Sequence, residues 1–235
     1  MSRRGNYKKK DSELEYIINM DNLDGTIKDL ELNSFTNTGI TTYLDTAPNY
    51  ATEGFTDPTG NKLSFGSDNK FSVQSGAFSV KVWINTAYSQ EIYAGKIPAG
   101  ASNSYWEWSL GDYYYSSGFK LMFAIHSGQR DTRINIYTPS SGYKNRWVQI
   151  IGTYDGSLVK EGLHLYADGS LIAGTQQNLG GFTSPSGVTS SPMVWGGNLK
   201  FGYAGKQSQQ ALINKELTDS EVLALYNAEK GYFGL

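Results

Sequence analysis

Trp147-Val148-Gln149-Ile150-Ile151-Gly152-Thr153-Tyr154-Asp155-Gly156, followed after a short insert by Leu163-His164-Leu165-Tyr166-Ala167-Asp168-Gly169, decides the fold of this chain. Both runs are rich in β-branched and aromatic residues, and both end in Asp-Gly. That dipeptide best supplies the positive φ angles of a tight hairpin turn. Ser170-Leu171-Ile172-Ala173 continues after the second turn. With two residues between them, the flanking strands pair only as a hairpin, so the reading is antiparallel β.

The same grammar extends outward in both directions. Phe78, Val80, Val82 and Ile84 alternate with Ser79, Lys81 and Trp83, as a half-buried strand requires. Phe119, Leu121, Phe123 and Ile125 alternate likewise, and Trp106, Trp108 and Leu110 are expected to share one face. Leu14, Tyr16, Ile18 and Met20 predict a strand near the start, and Ile27, Leu30 and Leu32 another. Leu63–Phe65 and Lys70–Val73 predict strands around a Gly66–Asn69 turn. Further strands are expected at Glu91–Gly95, Arg133–Tyr137, Val194–Phe201 and Gln209–Ile213. Stretches 33–62, 111–118 and 174–192 are rich in Gly, Ser, Thr, Asn and Pro or sit between strands, and read as loops. One helix is expected, late in the chain. Thr218-Asp219-Ser220-Glu221 forms a capping box, Val222, Leu225 and Tyr226 follow at helical spacing, and Gly231 supplies a stop.

At 235 residues the chain suits one large sandwich rather than two domains. A domain of this size buries roughly 70–75% of its unfolded surface, so it folds without staples. It has no cysteine, which excludes disulfides and thiolate chemistry. The net charge of −2 argues against a nucleic-acid binder, but Arg3, Arg4, Lys8, Lys9 and Lys10 place +5 in the first ten residues and leave −7 for the remainder. No apolar run approaches the roughly 20 residues of a membrane span, so no membrane partner is expected. The basic start lacks the apolar segment of a signal peptide, and the chain is expected to stay in the compartment where it is made. The predicted organisation is a basic arm over residues 1–12 and a sandwich over 13–235. Within the sandwich, 13–62 hold N-terminal strands and loop, and 63–235 the core.

These motifs, in this order, resemble the LamG-like jelly roll of the concanavalin A-like lectin/glucanase superfamily. The matching positions are Phe78–Ile84, Trp147–Gly156, Leu163–Gly169 and Leu217–Tyr226, so the resemblance spans about residues 60–230. It implies an all-β, two-sheet antiparallel jelly-roll sandwich with one short C-terminal helix. The family often binds calcium through an Asp in a Phe-Asp-Gly-x-x-Asp turn and an Asp in a Gly-x-Ile-Asp segment. Here the first turn reads Phe65-Gly66-Ser67-Asp68, keeping only Asp68, and the second reads Gly205-Lys206-Gln207-Ser208, with Ser208 in place of the carboxylate. Calcium needs six to eight oxygens, usually with several carboxylates, so neither calcium nor another cofactor is expected.

Catalysis finds little support. Glycoside hydrolysis needs two facing carboxylates, which glucanases of this superfamily carry as Glu-x-Asp-x-x-Glu, and no strand here has that run. Glu107 stands alone between tryptophans, and His126 and His164 have no spaced partners. Trp83, Trp106, Trp108 and Trp147 read as core. The best ligand candidate is Asp112 with Tyr113, Tyr114 and Tyr115 in the expected 111–118 loop, since sugars stack on exposed aromatics. The same residues equally suit a subunit interface. Trp195, at the end of the Gly/Ser-rich stretch 180–197, is a second candidate. Arg3, Arg4, Lys8, Lys9 and Lys10 are candidate docking residues, toward an acidic protein surface or toward phosphates.

The expectation is therefore a non-enzymatic binding or structural protein. The absent signal peptide, taken with the resemblance, implies a bacteriophage virion protein, such as a head decoration, fibre or tail adhesin. It would be made in the host cytoplasm, docked or self-assembled through its arm, and able to touch cell-surface glycans. The alternative is a bacterial carbohydrate-binding lectin module, and a glycoside hydrolase is the third class.

Overall fold

The computed structural model describes residues 14–21, 28–31, 33–34, 36–38, 41–43, 51–53, 62–73, 76–86, 92–98, 104–115, 118–187, 189–196 and 205–235. The arm of residues 1–12, with Arg3, Arg4, Lys8, Lys9 and Lys10, lies outside them.

Seventeen strands are found among the described residues. They are β1 (Tyr16–Asp21), β2 (Lys28–Asp29), β3 (Thr36–Thr38), β4 (Thr41–Tyr43), β5 (Ala51–Glu53), β6 (Lys62–Ser64), β7 (Phe78–Thr86), β8 (Ile92–Lys96) and β9 (Ser104–Tyr115). The remainder are β10 (Gly118–Gln129), β11 (Arg133–Pro139), β12 (Val148–Tyr154), β13 (Leu163–Ala167), β14 (Ser170–Leu171), β15 (Thr175–Leu179), β16 (Met193–Trp195) and β17 (Gly205–Ile213). The first sheet runs β14-β13-β12-β7-β17-β1-β2, with β5 also on β17 and β4 on β5. The second runs β15-β11-β10-β9-β8-β16-β6-β3. The pairings are antiparallel, as the Asp-Gly grammar requires. Phe78, Val80, Val82, Ile150, Leu165, Leu212, Trp108, Leu110, Phe123 and Ile134 meet between the sheets in the main core. The sheets approach closely at Gly152, where an added Cβ would lie 2.7 Å from the Phe123 ring.

The deciding stretch folds largely as read. β12 and β13 pair from Ile150↔Ala167 to Tyr154↔Leu163. Asp168 and Gly169 take φ of 50° and 79° in the two-residue turn to β14, the left-handed pair such a turn demands. The first Asp-Gly differs. Its connection runs through a short 3-10 turn, Lys160–Gly162, and the Asp155 carboxylate accepts from Ser157 N–H at 2.8 Å.

The single α-helix among the described residues, α1 (Asp219–Glu229), is opened by the expected capping box: Thr218 and Glu221 exchange hydrogen bonds with each other's backbone. It passes into a 3-10 turn, Lys230–Phe233, and the left-handed residue after it is Gly234 rather than Gly231. The helix covers the outer face of the first sheet. Val222 and Leu225 pack on Ile151, Tyr166, Ala211 and Ile213, and Phe233 stacks on Trp83 at 4.1 Å. Beneath it Glu229 is buried, bonded to Lys81, to Trp83 Nε1 at 2.6 Å and to Gln149 Nε2 at 3.0 Å.

Several expectations are corrected. The 33–62 stretch contains the short strands β3, β4 and β5, and 174–192 contains β15. Lys70–Val73 is not a strand: Asn69–Phe71 is a 3-10 turn capped by Asp68. A register shift between Tyr16 and Ile18 separates the first strand's apolar residues. Ile18 and Met20 enter the main core, whereas Leu14 and Tyr16 pack under the helix.

Candidate functional site

The helix seals one outer face of the sandwich, so the outer face of the second sheet is the place to look for a site. Along β10, odd-numbered Leu121, Phe123 and Ile125 point into the core, so His126, Ala124, Met122 and Lys120 point out. The cross-strand register adds Ser109 and Tyr113 from β9, Arg133, Asn135 and Tyr137 from β11, and Gln177 and Thr175 from β15.

This face divides into a closed half and an open half. In the closed half Tyr113 donates to Ser109 Oγ at 2.8 Å, Ser109 meets His126 Nε2 at 2.9 Å, and His126 Nδ1 meets the Arg130 carbonyl at 3.0 Å. A carbonyl only accepts, so Nδ1 carries the proton and Nε2 accepts from Ser109. Burial first, and then the Arg133 charge, push the His126 pKa down to about 3. The imidazole is therefore neutral and sits 5.1 Å from the Trp106 ring. Ser109 and His126 are both fully buried, so this relay knits strands together and offers no nucleophile to a substrate. In the open half, half-buried Tyr137 carries the Lys120 ammonium over its ring at 5.9 Å, and the Gln177 amide approaches its hydroxyl at 3.5 Å.

The residues singled out from sequence fall elsewhere than expected. Gly111–Tyr115 is no loop: β9 runs unbroken through it, paired with β10 from Leu110↔Phe123 to Tyr115↔Gly118. Asp112 is buried and bonded to Lys144, with Tyr93 and Ser140 beside it, and burial raises its pKa despite the lysine. Tyr113 is half-buried against Ile92, Ile97, Trp106 and Val194. The side chains of Tyr114 and Tyr115 lie outside the described residues. Trp195 is buried in β16 within the main core. The exposure that recommended Asp112 and Trp195 as ligand contacts is thus absent, because pairing on both sides draws their strands into the sheet. Trp106, Trp108 and Leu110 do not share a face either. A register shift opposite Gly128 sends Trp106 outward, while Trp108 and Leu110 face the core. Of the candidates whose side chains are described, Asp112 and Trp195 are buried and Tyr113 lies half-buried on the outer face, so these three do not share an exposed surface. The sequence reading missed Lys120, Tyr137 and Gln177, although the strict alternation of β10 already placed Lys120 on the solvent side.

The Laminin_G_3 family model, of the concanavalin A-like lectin/glucanases superfamily, matches residues 57–223. The chain belongs to this family. No curated protein matches it by sequence. Solved structures similar in fold to this chain include the binding domain of Paraclostridial Mosquitocidal Protein 1, with a TM-score of 0.66 and 16% identity over 94% of this chain and 55% of that one. Another is botulinum neurotoxin type C, which depends upon interaction with two ganglioside molecules to get into cells (TM-score 0.64, 18% identity, 91% of this chain and 51% of that one). A third is the binding domain of botulinum neurotoxin DC in complex with rat synaptotagmin II (TM-score 0.63, 16% identity, 91% and 51%). The laminin G-like chain spans about half the length of these structures, and at such identity the likeness is one of fold.

The laminin G-like calcium position does not fit the metal here. Asp68 accepts from Lys70 N–H at 3.0 Å and caps its own turn, and Ser208 is buried in β17 opposite Trp83. Among the described residues no group of three or more His, Cys, Asp or Glu side chains is placed to hold a metal. No helix among them is long and apolar enough to cross a membrane.

Proposed function

We propose that this laminin G-like domain is a non-enzymatic module that binds carbohydrate on cell surfaces, and that it does so on the open half of its second sheet. The observation that carries the reading is the Lys120–Tyr137–Gln177 row, in which an aromatic ring stands between an ammonium and an amide on an otherwise closed, rigid sheet. A pyranose lays its apolar C–H face on such a ring while its hydroxyls pair with the polar groups beside it. The carboxylates of β9 do not compete for a catalytic reading. Glu107 and Asp112 are buried and bonded to Lys96 and Lys144. A glycan array is the test: the parent chain binds at least one class of printed glycan, and Lys120→Ala/Tyr137→Ala loses it. A parent chain that binds nothing, or a double variant that binds normally, contradicts the proposal.

We further propose that the domain is displayed on a virion through its basic arm, with Arg3, Arg4, Lys8, Lys9 and Lys10 docking on acidic surfaces of other virion proteins or of further copies. The charge split along the chain supports this reading. Deleting residues 1–12 is expected to abolish incorporation and leave thermal unfolding unchanged; normal incorporation of the shortened chain contradicts it.

A further inference from the structure

Tyr105 stands in a conformation its side chain disfavours. Its φ is 70°, left-handed backbone that crowds any Cβ and is uncommon outside Gly, Asn and Asp. The conformation is imposed from the far side of the sequence. Ser191 Oγ donates to the Tyr105 carbonyl at 2.6 Å, and Thr189 Oγ1 approaches the same oxygen at 3.3 Å. Thr189 is itself fixed: its N–H and hydroxyl reach Glu107 Oε1 at 2.6 and 2.7 Å, and its carbonyl accepts from Lys96 Nζ at 3.0 Å. Lys96 and Glu107 form an ion pair at 2.8 Å whose side chains are wholly buried. On this pedestal β9 slips against β10 between Ile125 and Gln129. A bulge of this kind re-aims a side chain. Trp106 turns to the outer side of the second sheet, where it is buried against Ile92, Ile97 and Val194, and Tyr105 is left 57% exposed.

The fold gains little from an exposed ring, yet an interior ion pair and two hydroxyls hold it there. Backbone held against preference by its surroundings marks functional positions. The neighbouring surface is polar. Ser104 pairs with Gln129, and the turn beyond carries Arg130 and Asp131, with side chains 43% and 71% exposed. Phe119, the other exposed aromatic among the described residues, lies at the opposite end of β10. Hot spots for protein partners sit in well-packed, desolvated pockets. An exposed ring next to the strand end that pairs with Gln129 and leads into the exposed Arg130 and Asp131 suits a pyranose instead.

We propose that Tyr105 is a pre-organised stacking platform for a sugar ring, with Gln129, Arg130 and Asp131 pairing its hydroxyls. This is a second contact that rests on the carbohydrate-binding reading above. The test titrates the glycan giving the highest array signal into the parent chain and into Tyr105→Ala, Tyr105→Gly and Tyr105→Phe. The alanine and glycine variants are expected to weaken binding about tenfold, the size of one lost aromatic contact, and the phenylalanine variant to retain it. Tyr105→Gly also relieves the left-handed residue, so its Tm should hold or rise by a few degrees, on the order of 2–4 °C. Parent-like affinity in Tyr105→Ala, beside lost binding in Lys120→Ala/Tyr137→Ala, overturns the platform alone. No glycan bound by the parent overturns both readings. A fall in Tm for Tyr105→Gly assigns the ring to the fold. Loss of a protein partner with glycan binding intact assigns it to a protein interface.

Discussion

Glu229→Ala is expected to destabilise the protein by about 3–5 kcal/mol, the cost of leaving a buried charge without its partner. The helix has no use of its own for a glutamate at its last residue, because negative charge at a helix C-terminus opposes the macrodipole. The first sheet explains it. Lys81 and Trp83 on β7 and Gln149 on β12 converge on this one carboxylate beneath the helix, and the side chains of Lys81 and Glu229 are each 4% exposed. Removing it strands the Lys81 ammonium and frees the end of the helix that stacks Phe233 on Trp83. For a chain of this size the loss corresponds to a Tm decrease on the order of 10 °C. Lys81→Met/Glu229→Leu, which removes both charges, should recover most of it. A Glu229→Ala chain within about 0.5 kcal/mol of the parent in denaturant unfolding would show that the hub holds nothing.

His126 makes the protein lose stability in acid. Its folded pKa of about 3 lies below the ordinary value of 6.5, so the unfolded chain takes up the proton first. The contribution is complete above pH 6.5 and is lost as pH falls from there toward 3, at about 1.4 kcal/mol per pH unit. At pH 4.5 the deficit from this group is on the order of 2.7 kcal/mol. Asp112 and Glu216, whose pKa values burial raises, act in the opposite direction. The informative quantity is therefore the difference between the parent and His126→Gln. The variant is less stable at pH 7, where it loses the hydrogen bonds to Ser109 and Arg130, but its stability declines less between pH 6.5 and 4. Parallel pH profiles for the two chains would contradict a buried, neutral histidine.

The parts of the fold legible in the sequence are those whose cause is local. Asp168-Gly169 makes its hairpin because two adjacent residues accept positive φ. Thr218–Glu221 opens the helix because the reciprocal bonds span three residues. The alternation of β7 and β10 shows which side chains face the core. What escaped is set by distant partners. Gly111-Asp112 reads as a break, yet β8 and β10 pair with it on either side and carry the strand through Tyr115. Trp195 sits among glycines and serines and looks exposed, yet β16 is held between β8 and β6. Tyr105 could not be recognised, since its conformation depends on hydroxyls 84 and 86 residues away. The Lys120–Tyr137–Gln177 row was legible in part: strand parity put Lys120 and Tyr137 on the solvent side, but Gln177 belonged to a stretch read as loop.

On the proposed function, carbohydrate binds on the open half of the second sheet. Backbone amide NMR of the labelled chain, titrated with the glycan of highest array signal, tests it most directly. Shift changes are expected at Lys120, Tyr137 and Gln177 and along the adjoining strands β10, β11 and β15, with a second group at Tyr105 and Gln129–Asp131. Changes confined to the first sheet and its covering helix, or no change at saturating glycan, would contradict it.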